Sequence, residues 1–157
     1  MRAVALAAGL LVAALGVGRG DDPPLPEVAT ALARIASAST IELTTTGRQS
    51  GREHTERIWF VVADGKILVQ AGDDGKRDWY QNLKKTPAVV VHHGDYTFRA
   101  RAVPVTDPGR VREIHELFLH KYPSARLLSW FGSSIGQGQP AELVPLSVAV
   151  QRAAASR

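Results

Sequence analysis

Between Thr40 and Val150, β-branched and apolar residues recur in short runs separated by breaks rich in Gly, Asp and Pro. That pattern predicts several short strands joined by turns. Thr40–Thr46 reads as one strand and His54–Ala63 as the next. Asp64-Gly65 is a two-residue hairpin signal that returns the chain as Lys66–Ala71. Ala88–His93 and Tyr96–Val105 form a second pair around the Gly94-Asp95 turn, and Ala141–Val150 supplies a last strand.

Helical periodicity interrupts the strands at three places. Val28, Leu32, Ile35 and Ala36 share one face of a short helix over Pro26–Ala38. Lys76–Lys85 is helical up to Thr86-Pro87, because a residue before proline resists the α region. Asp74 is its expected N-cap. Gly109–Lys121 carries Val111, Ile114, Leu117 and Phe118 on one face, with Pro108 just inside its start, and Tyr122-Pro123 ends it. Ala125–Ile135 is amphiphilic, with Leu127, Leu128, Trp130 and Phe131 at the spacing of a short helix. About six antiparallel strands with helices inserted in their connections make an α+β fold closed as a β-barrel.

Residues 1–20 change the picture at the N-terminus. Arg2 precedes a run of Ala, Leu, Val and Gly too short to span a bilayer comfortably, as in a signal peptide or short N-terminal anchor. The reading is an exported chain, periplasmic or otherwise extracytoplasmic, or membrane-associated if the leader stays. A misassigned start would make it cytoplasmic. No Arg-Arg pair supports the twin-arginine route. Residues 21–38 are then a linker and short helix, 39–150 the barrel, and 151–157 a tail.

Composition narrows the chemistry. The 157 residues include no cysteine, which excludes disulfides, zinc–thiolate sites, iron–sulfur clusters and thiol nucleophiles. The formal charge of +4 mildly favours acidic ligands or membrane surfaces. The basic residues are scattered without interleaved aromatics, so no nucleic acid is expected. His92 and His93 point to opposite faces of one strand, and His115 and His120 are five apart on a helix, so no metal is expected. No Gly-x-Ser-x-Gly elbow argues for a hydrolase.

The chemistry-bearing segment is Gly47-Arg48-Gln49-Ser50-Gly51-Arg52 between the first two strands. A glycine-rich basic turn gathers backbone N–H groups and guanidinium forks at one point, which suits a phosphate or other acidic group. Asn82, on the helix that follows the acidic loop, is an amide that either bonds the backbone of this turn or meets a ligand directly.

Three blocks in order carry a family resemblance: Leu43-Thr44-Thr45-Thr46-Gly47-Arg48-Gln49-Ser50-Gly51, Asp78-Trp79-Tyr80-Gln81-Asn82-Leu83 through Pro87, and Tyr96-Thr97-Phe98-Arg99-Ala100-Arg101-Ala102. They resemble the deazaflavin (F420)-dependent nitroreductases, also described as F420H2-dependent quinone reductases. The resemblance implies a split β-barrel of the flavin-reductase-like, FMN-binding type. It implies coenzyme F420 as hydride donor and a small-molecule acceptor, a membrane quinone, lipid or nitro compound. Arg48, Gln49, Ser50, Gly51, Arg52 and His54 would hold the acidic tail. Gly72, Lys76 and Trp79 would border the ring, Asn82 would belong to the cofactor site as well, Tyr122 would orient the acceptor, and Trp130 and Phe131 would line its pocket. A homodimer is a further expectation.

The chain departs from its relatives at Gln49 and His54, where they tend to carry cations, and at the acidic Asp73-Asp74 loop. Ala125 and Leu128 stand where relatives have tyrosines, so a greasier acceptor pocket is expected. A non-catalytic exported lipid- or quinone-binding protein on the same barrel is the alternative. FMN or haem in the same cleft is a third option.

Overall fold

The computed structural model describes residues 24–124 and 138–151. Among these the elements run α1 (Pro26–Ile35), β1 (Thr40–Thr46), β2 (Glu53–Trp59), β3 (Val61–Ala63), β4 (Lys66–Ala71), a 3-10 turn (Asp73–Gly75), α2 (Asp78–Lys85), β5 (Ala88–His93), β6 (Tyr96–Pro104), α3 (Pro108–Lys121) and β7 (Gln139–Val150). Residues 1–23, which include the expected leader, the segment bearing Ala125, Leu128, Trp130 and Phe131, and the last six residues lie outside the described residues.

The strands form one antiparallel sheet in the order β2-β1-β5-β6-β7-β4-β3. Its two outermost strands, β2 and β3, are separated in sequence by Phe60 alone. A chain can pass from one edge to the other in one residue only if the sheet curls until its edges meet. The result is the half-closed antiparallel barrel expected from sequence, with seven strands rather than about six. The extra strand arises because His54–Ala63 is not continuous: it pairs with β1 up to Trp59 and with β4 from Val61.

Phe60 would leave its backbone groups stranded at this corner. Its N–H donates to the Tyr122 hydroxyl at 3.1 Å, and its carbonyl accepts from the Lys121 ammonium at 2.9 Å. The Tyr122 hydroxyl also lies 2.7 Å from the Phe60 carbonyl and 2.8 Å from that of Ser39, and donates to one of them. The end of α3 therefore staples the corner.

Alternation places Ile41 and Leu43, Ile67 and Val69, Val89 and Val91, and Phe98 and Ala100 in one core. Val28, Leu32 and Ile35 of α1 and Trp79 and Leu83 of α2 close it. Each fully buried Leu or Ile contributes about 2 kcal/mol of transfer free energy. A second cluster on the outer face, Val61, Leu68, Val105, Ile114 and Phe118, holds α3 against β3 and β4. The Asp107 carboxylate caps α3 by accepting from Arg110 N–H at 2.8 Å.

The expected capping of α2 is corrected. Asp74 does not cap it; with φ of 53° it sits inside the 3-10 turn, and α2 begins only after Arg77, without a side-chain cap.

Candidate functional site

The glycine-rich turn between β1 and β2 is held by its own backbone and by α2. Gly47 N–H donates to Arg52 O at 2.7 Å, and Gly51, at φ of 68°, donates back to Gly47 O at 2.8 Å. Arg52 N–H donates to Ser50 Oγ at 3.2 Å, and His54 Nε2 stands 3.4 Å from the same oxygen. A Cβ at Gly47 would fall 2.6 Å from Ser50 Oγ and 2.8 Å from His54 Nε2, so a larger residue there would have to push these two side chains aside.

Asn82 is the fastening. It is 3% exposed, and its Oδ1 accepts from Arg48 N–H at 3.0 Å and from the Arg48 guanidinium at 3.2 Å. Its Nδ2 donates to the buried Thr45 hydroxyl at 3.3 Å, and Lys85 donates to Arg48 O at 2.7 Å. Of its two expected roles, Asn82 thus performs the anchoring of the turn backbone.

Two clefts flank the start of α2. The first, about 320 Å³, is lined by Gly47, Arg48, Gln49, Ser50, His54, Glu56, Asp78 and Asn82. The second, about 280 Å³, has Trp59, Gln70, Gly72, Arg77, Trp79 and Phe118 among its lining residues. Glu56 of β2 borders both, and Arg77 and Asp78 are consecutive, so the two clefts lie side by side along the groove between β2 and α2.

The structure therefore brings together Arg48, Gln49, Ser50, His54 and Asn82 at one end, and Gly72 and Trp79 at the other. Gly51 and Arg52 shape the turn without lining the groove. Lys76 borders neither cleft; it ends the 3-10 turn, its N–H donating to Asp73 O at 3.0 Å. Tyr122 is also displaced from its expected role: its hydroxyl is committed to the backbone of the β2–β3 corner. Burial holds that phenol above its ordinary pKa, against the opposing bond to Phe60. Its ring instead backs the groove by stacking on Trp59, with centroids 4.7 Å apart.

The electrostatics of the turn are more balanced than the sequence implies. The Arg48 guanidinium is ion-paired with Asp78 at 2.8 Å. The first cleft thus has one guanidinium facing two carboxylates, Asp78 and Glu56. In the acidic loop Asp73 is screened by Arg77 at 3.0 Å.

Sequence reasoning missed Gln70, Glu56 and Asp78 as groove residues. Gln70 had a signal, being the one polar residue within Ile67–Ala71. Its two amide atoms are buried, and neither has a hydrogen-bond partner among the described residues.

Comparison with known proteins places this geometry. The chain resembles a conserved hypothetical protein of Mycobacterium tuberculosis, Rv2991, at 20% identity and a TM-score of 0.62, covering 81% of this chain and 84% of that one. It resembles an F420-H2 dependent reductase, FDR-A, at 24% identity and 0.52, covering 68% and 94%. A FAD-binding protein of Mesorhizobium loti matches at 13% identity and 0.52, covering 76% and 91%. At these identities the likeness establishes the split-barrel fold. The family model of the F420H(2)-dependent quinone reductases matches residues 27–128, more than half of the chain. The chain belongs to the F420H2-dependent quinone reductase family.

Proposed function

We propose that the protein is an F420-dependent reductase that passes a hydride from the reduced deazaflavin to a quinone-like or nitro acceptor. What supports this reading, beside the family, is that a cleft at the glycine-rich basic turn lies next to a second cleft lined by Trp59 and Trp79. Arg48, Ser50 and His54 would receive the cofactor's phosphate and acidic tail in the cleft at the turn. Trp79 and Gly72 would border the ring. The unpaired amide of Gln70 gives the ring cleft a polar group that still needs a partner, so the residues present fit such a group.

When bound, reduced F420 supplies the hydride. The chain's own part is to bind, orient and exclude water. Asn82 and Lys85 hold the turn in register with α2, and Tyr122 and Lys121 fix the corner from which Trp59 projects. No acid–base side chain is required of the protein in this scheme. The leader at residues 1–20 makes export part of the proposal.

One observation favours the second reading, an exported quinone- or lipid-binding protein without catalysis. The Arg48 charge is already met by Asp78, which weakens the turn's pull on a polyanion. Fluorescence titration of the full chain with F420 separates the two. The reductase reading expects saturable binding, weakened about tenfold or more in Arg48→Ala through loss of a charge-assisted contact. No binding by the wild type would overturn it.

A further inference from the structure

Strand β4 is apolar at Ile67, Leu68, Val69 and Ala71, and Gln70 interrupts it. Gln70 lines the second cleft together with Trp59, Gly72 and Trp79. Its Oε1 and Nε2 are both buried, and both lack a partner among the described residues. Burying an amide without hydrogen bonds destabilises a fold, so a side chain held this way needs its partner from elsewhere. Nearby, Gly138 passes so close to β4 that a Cβ there would meet the Ala71 carbonyl at 2.5 Å. Gly138 therefore brings backbone against the Ala71 end of β4, and it lines the same cleft as Gln70.

Donor and acceptor counting selects the ligand class. A carboxamide presents one oxygen that needs a donor and one NH2 that needs acceptors. A lipid chain satisfies neither. A quinone offers acceptors alone, so the buried Oε1 would remain unpaired. A heterocycle edge with a ring N–H beside a carbonyl, as in the pyrimidinedione of a deazaflavin or flavin, satisfies both at once.

We propose that Gln70 is the residue that reads the imide-type edge of a planar heterocycle in the Trp59–Trp79 cleft. The assignment rests on reading the groove as a cofactor site, and it places the heterocycle rather than the quinone acceptor against β4.

The test uses the full chain and two variants, Gln70→Leu and Gln70→Met. Binding is read by fluorescence titration with intact F420 and with its ribityl deazaflavin fragment, which lacks the phosphate and acidic tail. Thermal unfolding is read without ligand. Loss of two hydrogen bonds should weaken both ligands by the same factor, about tenfold to hundredfold. Arg48→Ala should weaken intact F420 alone. The ligand-free variants should melt at or above the wild-type temperature, because they remove an unpaired buried amide. Wild-type-like affinity in both variants would overturn the Gln70 assignment and leave the reductase reading standing. A lower melting temperature in both would mean the amide is paired within the protein, which also overturns it. Failure of the wild type to bind either ligand would overturn both proposals together.

Discussion

Replacing Asn82 with alanine removes three hydrogen bonds at once. These are the two that Oδ1 accepts from Arg48, at 3.0 and 3.2 Å, and the one that Nδ2 donates to Thr45 at 3.3 Å. At roughly 1 kcal/mol net for each, the change should cost about 2–4 kcal/mol of folding stability. The upper half of that range applies because Thr45, at 1% exposed, has no access to water in exchange. Asn82→Asp keeps the acceptor for Arg48, and the Thr45 hydroxyl can turn to donate to it. Its cost should therefore be less than half that of alanine. Urea unfolding of the three proteins measures the difference, and amide hydrogen exchange localises it. Faster exchange at Gly47 and Gly51 is expected in Asn82→Ala, because the turn loses its tie to α2. If Asn82→Ala unfolds within about 0.5 kcal/mol of wild type, the claim that this amide holds the turn is wrong.

Two other side chains give sharp expectations. Asp78→Asn frees the Arg48 guanidinium from a largely exposed pair, so stability should change by less than about 1 kcal/mol. Affinity for an anionic ligand at the turn should rise, and the rise should shrink with added salt; titration at low and high ionic strength checks it. Glu142, 12% exposed, is bonded to Lys66 at 2.8 Å and to Arg110 at 2.7 Å. Burial pushes its carboxyl pKa up, but the two cations outweigh burial and hold it below the ordinary 4.5. A depressed folded pKa gives stability that is complete above 4.5 and is lost as pH falls through the folded value. Glu142→Gln should thus cost about 3 kcal/mol near neutral pH, with the gap to wild type closing on acidification. A gap that stays constant down to strongly acid pH would refute the coupling.

Sequence alone determined the strands and their turns, because those rest on local chemistry. Thr40–Thr46, Lys66–Ala71 and Ala88–His93 form as their alternation and β-branching predict. Asp64 and Gly65 adopt the positive φ that their hairpin requires. The basic turn was legible for the same reason, and so were the three blocks that carry the family resemblance. What tertiary structure decided was everything that depends on a partner distant in the chain. His54–Ala63 splits at Phe60 because its halves pair with opposite edges of the curled sheet, and no local pattern encodes that change of partner. Tyr122, sixty-two residues away, is drawn to that corner by Phe60's stranded backbone groups, so its hydroxyl is committed there while its ring stacks on Trp59. Arg48 reads as a free cation in sequence and is met by Asp78 only because α2 packs beside the turn. Gln70 is one polar letter in an apolar strand until folding buries its amide in a cleft. Periodicity reports which face a residue takes, whereas ion pairs and buried amides depend on which faces meet.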